Sequence, residues 1–252
     1  MFEELGELKY KGRIAFYIYN EPLRDKRILS ILMLAREMVP KSILMISTNA
    51  DYMKENTLDN LFAAGLNMIR INVYSANDGD RNTSKVREGV EKAKKRATVI
   101  QGWMDCRPDI DQTKSVDSGG SCKSKRATLH HKYGVKQDGA NFGGGFELQN
   151  RSGNVEWLAA STIKTYTGVC TRPFRIMQVN WRGDAILCCN DYHGSTTWGN
   201  VRQNSLVELW NHVALHQARL ELQDGVRTGL CKHCDFRGGA YRHMIHRVAN
   251  VS

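Results

Sequence analysis

The sequence predicts an α/β fold in which parallel strands alternate with covering helices, followed by a smaller α+β domain rich in cysteine. In the first half of the chain, short apolar runs alternate with segments of helical periodicity. From about residue 105 to 145 the sequence becomes polar and glycine-rich, which predicts a long loop. Five of the seven cysteines follow that loop. We place the domain boundary near residue 160, so that the predicted domains cover 1–160 and 161–252.

Each predicted strand of the first domain is a short apolar run that ends at a turn or loop. The predicted strands cover residues 13–19, 42–47, 68–74, 97–103 and 145–150. Between them, apolar residues recur at helical spacing, which predicts helices over 28–38, 57–62 and 84–96. An order of strand, helix, strand, helix implies parallel strands that are covered by the helices.

The second domain begins with a predicted antiparallel hairpin. The apolar runs "FRIMQV" and "DAILCC" flank the turn sequence "NWRG". Further along, Ser205 and Glu208 have the spacing of a capping box, which marks the start of a helix.

Composition limits the compartment and the kind of chemistry. No run of about eighteen apolar residues occurs, so we expect no membrane span. The N-terminal residues "MFEELGELKYKGR" lack the apolar segment of a signal peptide, and we therefore expect a cytoplasmic protein. Thiols stay reduced in that compartment, so we interpret the cysteines as ligands or bystanders rather than as disulfides.

The formal charge of +10 is concentrated in one block of the chain. Residues 85–136 carry thirteen Lys and Arg against six Asp and Glu. Such a block can bind a polyanion. We favour a solvated helix face followed by a loop, because no aromatic residues interleave the basic ones, and we do not expect nucleic acid as a partner.

Four cysteines have the spacing of a metal site. Cys231 and Cys234 form a C-x2-C pair, in which one turn directs two thiolates at one centre. Cys170 lies before the predicted hairpin and Cys188 lies in it, and these two cysteines supply the second pair. Four thiolates suit either zinc or an iron–sulfur cluster, and the spacing does not choose between them. We interpret Cys189 as a packing residue, and Cys106 and Cys122 as bystanders.

The same region resembles the SPASM domain, the cluster-binding extension of radical SAM enzymes. The matching pieces are "CTRPFRIMQVNWRGDAILCCND", with its C-x12-G-x4-C spacing, then "WGNVRQNSLVELWN" and "GLCKHCDF". Two further cysteines of the long form of this family are replaced here by Ala240 and Met244. The resemblance therefore implies a single auxiliary 4Fe–4S cluster, held by Cys170, Cys188, Cys231 and Cys234.

The first domain resembles part of the radical SAM (β/α) barrel. In "FYIYNEPL", Glu21 matches the glutamate that binds the amino group of S-adenosyl-L-methionine in this family. In "STNAD", Thr48 and Asn49 match a Thr-Asn-Gly segment, while Ala50 replaces its glycine. Ser75 in "INVYSA" matches a serine near the cofactor. Ligands of parallel α/β sheets sit at the carboxyl ends of the strands, where Glu21, Asn49 and Ser75 are predicted to lie.

One part of the family pattern is absent from the sequence. Radical SAM chemistry needs a C-x3-C-x2-C loop that holds the catalytic cluster, and these 252 residues contain no such motif. The first predicted strand corresponds to the second strand of the family barrel, so the resemblance implies a partial barrel. The chain is then a fragment, the product of a split gene whose partner chain supplies the missing unit, or a protein that has lost the catalytic cluster.

Our leading hypothesis is an iron–sulfur oxidoreductase of the radical SAM/SPASM type. In complete form, the resemblance implies that it uses an electron donor to generate a 5′-deoxyadenosyl radical, which modifies a substrate such as a peptide or protein. We assign no catalytic residue. A first alternative is a non-catalytic cluster module that docks a peptide or a partner enzyme. A second is a zinc-stabilised nucleic-acid-binding protein.

Overall fold

The computed structural model describes residues 1–75, 83–113, 121–132, 152 and 168–234. The chain forms two units, Phe2–Glu147 and Leu148–Ser252, which are described separately below.

The first unit is built on a four-stranded, fully parallel sheet. Its strands are β1 (Arg13–Ala15), β2 (Ile43–Thr48), β3 (Met68–Tyr74) and β4 (Arg126–Lys132), and they lie side by side in the order of the sequence. The helices are α1 (Phe2–Glu7), α2 (Ile28–Met38), α3 (Thr57–Ala63) and α4 (Thr83–Asp105), with a short 3-10 helix at Pro22–Arg24. All three strand pairings are parallel, as the predicted α/β class requires.

The two faces of this sheet differ because side chains alternate along each strand. One face carries Leu44, Ile46, Ile69 and Ile71, which join a single core cluster with helix residues such as Leu32, Leu58, Leu61 and Ile100. The opposite face carries a smaller cluster that is built from Met45 and Met68, with Tyr17 and Ile43 packed against it.

The Asn67 side chain stabilises the edge of the sheet at which the strands begin. Its side-chain oxygen accepts hydrogen bonds from the Leu44 backbone (2.9 Å) and from Arg36 (2.5 Å). Its amide nitrogen donates to the Cys122 carbonyl (2.8 Å). Because the Asn67 side chain is almost fully buried, it satisfies backbone groups that water cannot reach.

The structure corrects the prediction for the end of the first domain. We predicted a strand at 97–103, but this segment is the last part of α4. The buried residues Ala93, Ala97, Ile100 and Met104 recur at helical spacing and face the core, so burial of one helical stripe decides the conformation. The next strand is instead β4, which lies inside the polar segment that we predicted to be a loop near 105–145.

The other predicted strands of the first unit agree with the structure to different degrees. The prediction of β3 at 68–74 is confirmed with the same bounds, whereas β1 is shorter than the predicted 13–19. The predicted strand at 145–150 lies outside the described residues. Within the part of the chain that the structure describes, no helix combines the length and the apolar character that a membrane crossing requires.

The second unit combines one small hairpin with short helices. The strands β5 (Gln178–Val179) and β6 (Ala185–Ile186) pair antiparallel, which confirms the predicted hairpin. The helices are α5 (Arg172–Arg175), α6 (Leu206–Trp210) and α7 (Val213–Gln223), followed by a 3-10 helix at Gly229–His233. The predicted capping box at the start of α6 is present, since Ser205 and Glu208 each accept a hydrogen bond from the other's backbone nitrogen.

Candidate metal centre and carboxylate site

The four cysteines with metal-site spacing lie in one neighbourhood of the second unit. Cys170 precedes α5, Cys188 follows β6, and Cys231 and Cys234 lie in and directly after the last 3-10 helix. Burial, together with the smaller effect of the charges of Cys188, Cys234 and Cys170, raises the pKa of the Cys231 thiol to about 12. Asn190 lies 3.4 Å from the Cys188 sulfur through its backbone nitrogen and 3.4 Å from the Cys234 sulfur through its side-chain amide, so one residue separates these two thiols.

The chemistry of these donors fits an iron–sulfur cluster. Burial, opposed in part by a backbone hydrogen bond from Asn190, raises the pKa of Cys188 to about 11. Such thiols release their protons only when a metal compensates the negative charge. Among the described residues, no three Cys, His, Asp or Glu side chains are close enough to hold a single metal ion.

The C-x12-G-x4-C spacing has a local structural reason at its glycine. Gly183 ends the hairpin turn with a backbone φ of +93°, a conformation that L side chains rarely adopt. A Cβ atom there would lie 2.9 Å from the side-chain oxygen of Asn200. Asn200 in turn donates from its amide nitrogen to the Arg182 carbonyl (3.1 Å) and to Asp184 (2.9 Å). Asn200, the second residue of the "GN" pair in the sequence pattern, therefore stabilises the hairpin that precedes Cys188.

A second set of hydrogen bonds positions the C-x2-C turn. The Cys231 backbone nitrogen donates to the Thr228 carbonyl (2.9 Å), and that of Cys234 donates to the Cys231 carbonyl (3.2 Å). Arg227 donates to the carbonyl of Gly168 (3.0 Å), two residues before Cys170. The segment that leads to the C-x2-C pair is thereby tied to the segment that carries the first cysteine.

Two residues directly after the adjacent cysteines were missed in the sequence. The amide nitrogen of Asn190 lies 3.4 Å from the Cys234 sulfur, to which it donates a hydrogen bond. Asp191 is fully buried and accepts hydrogen bonds from the backbone nitrogens of Ser195 and Thr196, each at 2.8 Å. The signal was the pair "ND" itself, because Asn and Asp after a strand commonly form side-chain hydrogen bonds that shape a turn.

In the first unit, the structure brings Glu21 and Asn49 together at the carboxyl edge of the sheet. One carboxylate oxygen of Glu21 accepts hydrogen bonds from the Thr48 hydroxyl (2.7 Å) and from the Leu23 backbone (3.0 Å). The other accepts from the Asn49 backbone nitrogen (2.7 Å). A carboxylate has about four acceptor positions, so Glu21 is held firmly and keeps acceptor capacity for a ligand.

The turn after β2 shows how Ala50 takes the place of the glycine in the family's Thr-Asn-Gly segment. Ala50 has a φ of +69°, which a glycine adopts without strain and an alanine does not. The Thr48 hydroxyl accepts a hydrogen bond from the Ala50 nitrogen (3.0 Å), and the Asn49 side chain accepts one from Asp51 (3.0 Å). These bonds hold the turn in the glycine-like conformation. Ser75 directly follows β3 at the same edge of the sheet.

The chain is similar to known proteins over most of its length. Residues 170–235 match the SPASM family, an iron–sulfur cluster-binding domain. The S-adenosyl-L-methionine-dependent 2-deoxy-scyllo-inosamine dehydrogenase of Niallia circulans is 23% identical over 237 residues, which cover 93% of this chain and 77% of the relative. The region around the four thiols thus matches an iron–sulfur cluster-binding domain of the SPASM type.

Solved structures of BtrN share the fold. BtrN in complex with AdoMet and 2-DOIA superposes with a TM-score of 0.62 at 21% identity, over 93% of this chain and 77% of BtrN. The selenomethionine form of BtrN in an open conformation gives a TM-score of 0.57 at 18% identity, over 93% and 76% of the two chains. The predicted α/β class with a parallel sheet is confirmed.

Proposed function

We propose that this chain, an iron–sulfur protein of the radical SAM/SPASM type, binds S-adenosyl-L-methionine at the carboxyl edge of its parallel sheet. The observation that carries the proposal is the Glu21 carboxylate, which the Thr48 hydroxyl and the Asn49 backbone hold at that edge. A fixed carboxylate with remaining acceptor capacity suits the ammonium group of the cofactor. The dehydrogenase of Niallia circulans, by its name, depends on the same cofactor.

The residues of this chain bind and orient the reactants. Glu21 accepts a hydrogen bond from the cofactor's ammonium group, and Asn49 and Ser75 border the same position. Cys170, Cys188, Cys231 and Cys234 would hold the 4Fe–4S cluster, which would supply electron transfer or a contact for the substrate. Bound S-adenosyl-L-methionine would supply the hydrogen-abstracting chemistry of the radical SAM type, given a separate catalytic cluster and an electron donor.

We propose that activity requires a C-x3-C-x2-C loop, which these 252 residues do not contain. The four cysteines of the second unit have C-x12-G-x4-C and C-x2-C spacing, which does not match that motif. In an active enzyme, a further segment of the same polypeptide or a separate partner chain would supply this loop, whereas a protein that has lost the catalytic cluster would remain a non-catalytic module. Because iron–sulfur ligands must stay reduced, we place the complete enzyme in the cytoplasm.

The substrate that we propose is a small hydroxylated amine, whose alcohol is oxidised. This choice rests on the name of the Niallia circulans dehydrogenase, which matches over 93% of this chain. The peptide or protein substrate expected from the wider family is the alternative outcome of the same assay.

The test begins with the DNA immediately upstream of Met1. If a C-x3-C-x2-C polypeptide is encoded there, the chain is expressed with it, reconstituted anaerobically, and assayed for 5′-deoxyadenosine with dithionite and S-adenosyl-L-methionine; its absence would favour the non-catalytic module. We expect product from the wild-type complex and a tenfold to hundredfold weaker affinity for the cofactor in Glu21→Gln, because the substitution removes a charge-assisted hydrogen bond worth about 1.5–3 kcal/mol.

Glu37→Gln is the matched control, since Glu37 is exposed on α2 of the same unit. It should leave cofactor affinity unchanged. A reconstituted brown complex that forms no 5′-deoxyadenosine would favour the non-catalytic module over the enzyme. Equal cofactor affinity in Glu21→Gln and Glu37→Gln would remove the proposed role of Glu21.

A further inference from the structure

Asn190 lies between two of the four thiols and contacts both of them. Its side-chain amide donates to the Cys234 sulfur at 3.4 Å, and its backbone nitrogen donates to the Cys188 sulfur at 3.4 Å. Only 3% of its surface is exposed. Asn190 thereby connects Cys188, at the end of the hairpin, with Cys234, which lies 44 positions after Asn190 in the chain.

The position of Asn190 is fixed by its neighbours. The Asp191 nitrogen donates to the Cys188 carbonyl (3.1 Å), and the Tyr192 nitrogen donates to the Asn190 carbonyl (3.0 Å). The Asp191 carboxylate holds the following residues through Ser195 and Thr196. Because the backbone on both sides is held, the amide of Asn190 is directed at the sulfur before any cluster binds.

A hydrogen bond to a cluster thiolate affects the oxidised and reduced cluster unequally. The reduced cluster carries one more negative charge, and part of that charge resides on the thiolate sulfurs. A donor N–H therefore stabilises the reduced form more than the oxidised form, which raises the reduction potential. The sulfur of Cys234 is buried, so water does not compete strongly for this position.

We propose that Asn190 is a positioning residue that raises the reduction potential of the auxiliary cluster through its amide bond to Cys234. The proposal depends on the cluster and not on cofactor binding by the first unit. Its effect is on the electron affinity of a cluster that remains bound, which separates it from a purely structural role.

Two substitutions remove the donor in different ways. Asn190→Leu has a similar volume and no polar atom, and Asn190→Asp has nearly the same shape but presents only acceptor oxygens when ionised. The midpoint potential of the reconstituted 252-residue chain is measured by a redox titration that is followed by electron paramagnetic resonance. Since this chain contains no C-x3-C-x2-C loop, the signal comes from the auxiliary cluster alone.

We expect the midpoint potential to fall in the order wild type, Asn190→Leu, Asn190→Asp. A tenfold decrease in the ratio of reduced to oxidised cluster at fixed ambient potential corresponds to about 59 mV for a one-electron couple. Asn211→Leu is the control and should keep the wild-type potential, because Asn211 is exposed and caps the end of α6.

Three results would overturn the proposal. The first is an unchanged or higher potential in both Asn190 variants with the cluster bound. The second is loss of the cluster from both variants while Asn211→Leu retains it, which would give Asn190 a structural role only. The third is a wild-type chain that binds no iron, which removes the cluster itself and leaves cofactor binding at Glu21 to be judged by its own assay.

Discussion

Replacing Asp191 with alanine should destabilise the second unit by about 3 kcal/mol. The side chain is fully buried and its carboxylate accepts four hydrogen bonds, two from Ser195 and two from Thr196. Ser195 is exposed, so water replaces the carboxylate there after the substitution. The loss of the two hydrogen bonds from Thr196 then accounts for most of the destabilisation, at about 1.5 kcal/mol for each bond to a charged acceptor.

The assay is urea unfolding followed by tryptophan emission, which reports mainly on the second unit because four of the five tryptophans follow residue 148. With a slope of about 1–3 kcal/mol per molar urea, the midpoint should fall by about 1–3 M. A shift that corresponds to less than about 0.5 kcal/mol would refute the reasoning, because the loop that carries Cys188 would then not depend on this carboxylate.

The substitution Asp191→Asn tests how much the negative charge of this side chain contributes to stability. Burial raises the pKa of Asp191, but hydrogen bonds from Thr196 and Ser195 outweigh it, and the pKa lies below its ordinary value of 3.8. A carboxyl group whose folded-state pKa is depressed stabilises the protein fully above its unfolded pKa and loses this effect as pH falls through the folded pKa. The stability difference between wild type and Asp191→Asn should therefore be constant from pH 7 to about 4 and shrink below about 4.

Two further predictions concern the ligands and the sheet. Cys231→Ser should lose both iron and folding of the second unit, whereas Cys122→Ser should lose neither, and equal iron contents in the two anaerobically purified variants would contradict this. Asn67→Leu should lower the free energy of unfolding of the first unit by about 3 kcal/mol, because it leaves the buried backbone nitrogen of Leu44 without its 2.9 Å partner. Thermal unfolding followed by circular dichroism would measure this loss, and an unchanged midpoint would show that the edge relaxes without cost.

The sequence predicted those parts of the fold in which one physical effect dominates. The strand at Met68–Tyr74 alternates apolar and polar residues, and α2 has a regular apolar stripe, so both were placed correctly. The end of α4 was mistaken for a strand because "ATVI" is rich in residues that favour strands. Its true conformation depends on packing of Ile100 and Met104 in the core, which is a tertiary effect.

The strand β4 was missed because polar residues surround its short apolar positions. Ala127 and Leu129 face the core, while Thr128 and His130 alternate with them. Their strand state depends on pairing with β3, whose partner positions lie some 58 residues earlier, as in the pair Met68 and Arg126. No local pattern contains that information.

The sequence predicted some residues of the candidate sites but not all of them. The spacing of four cysteines indicated a shared centre, and the rule that parallel strands end at a common edge indicated that Glu21 and Asn49 would meet. Asn190 was not found, because its role follows from a contact with Cys234 that only the folded hairpin creates.

The content of iron, acid-labile sulfide and zinc in the anaerobically purified 252-residue chain tests the central assignment most directly. A cluster at Cys170, Cys188, Cys231 and Cys234 predicts a brown protein with about four iron atoms and four sulfides per chain and no stoichiometric zinc. A colourless protein that holds one zinc ion and no iron would contradict the assignment.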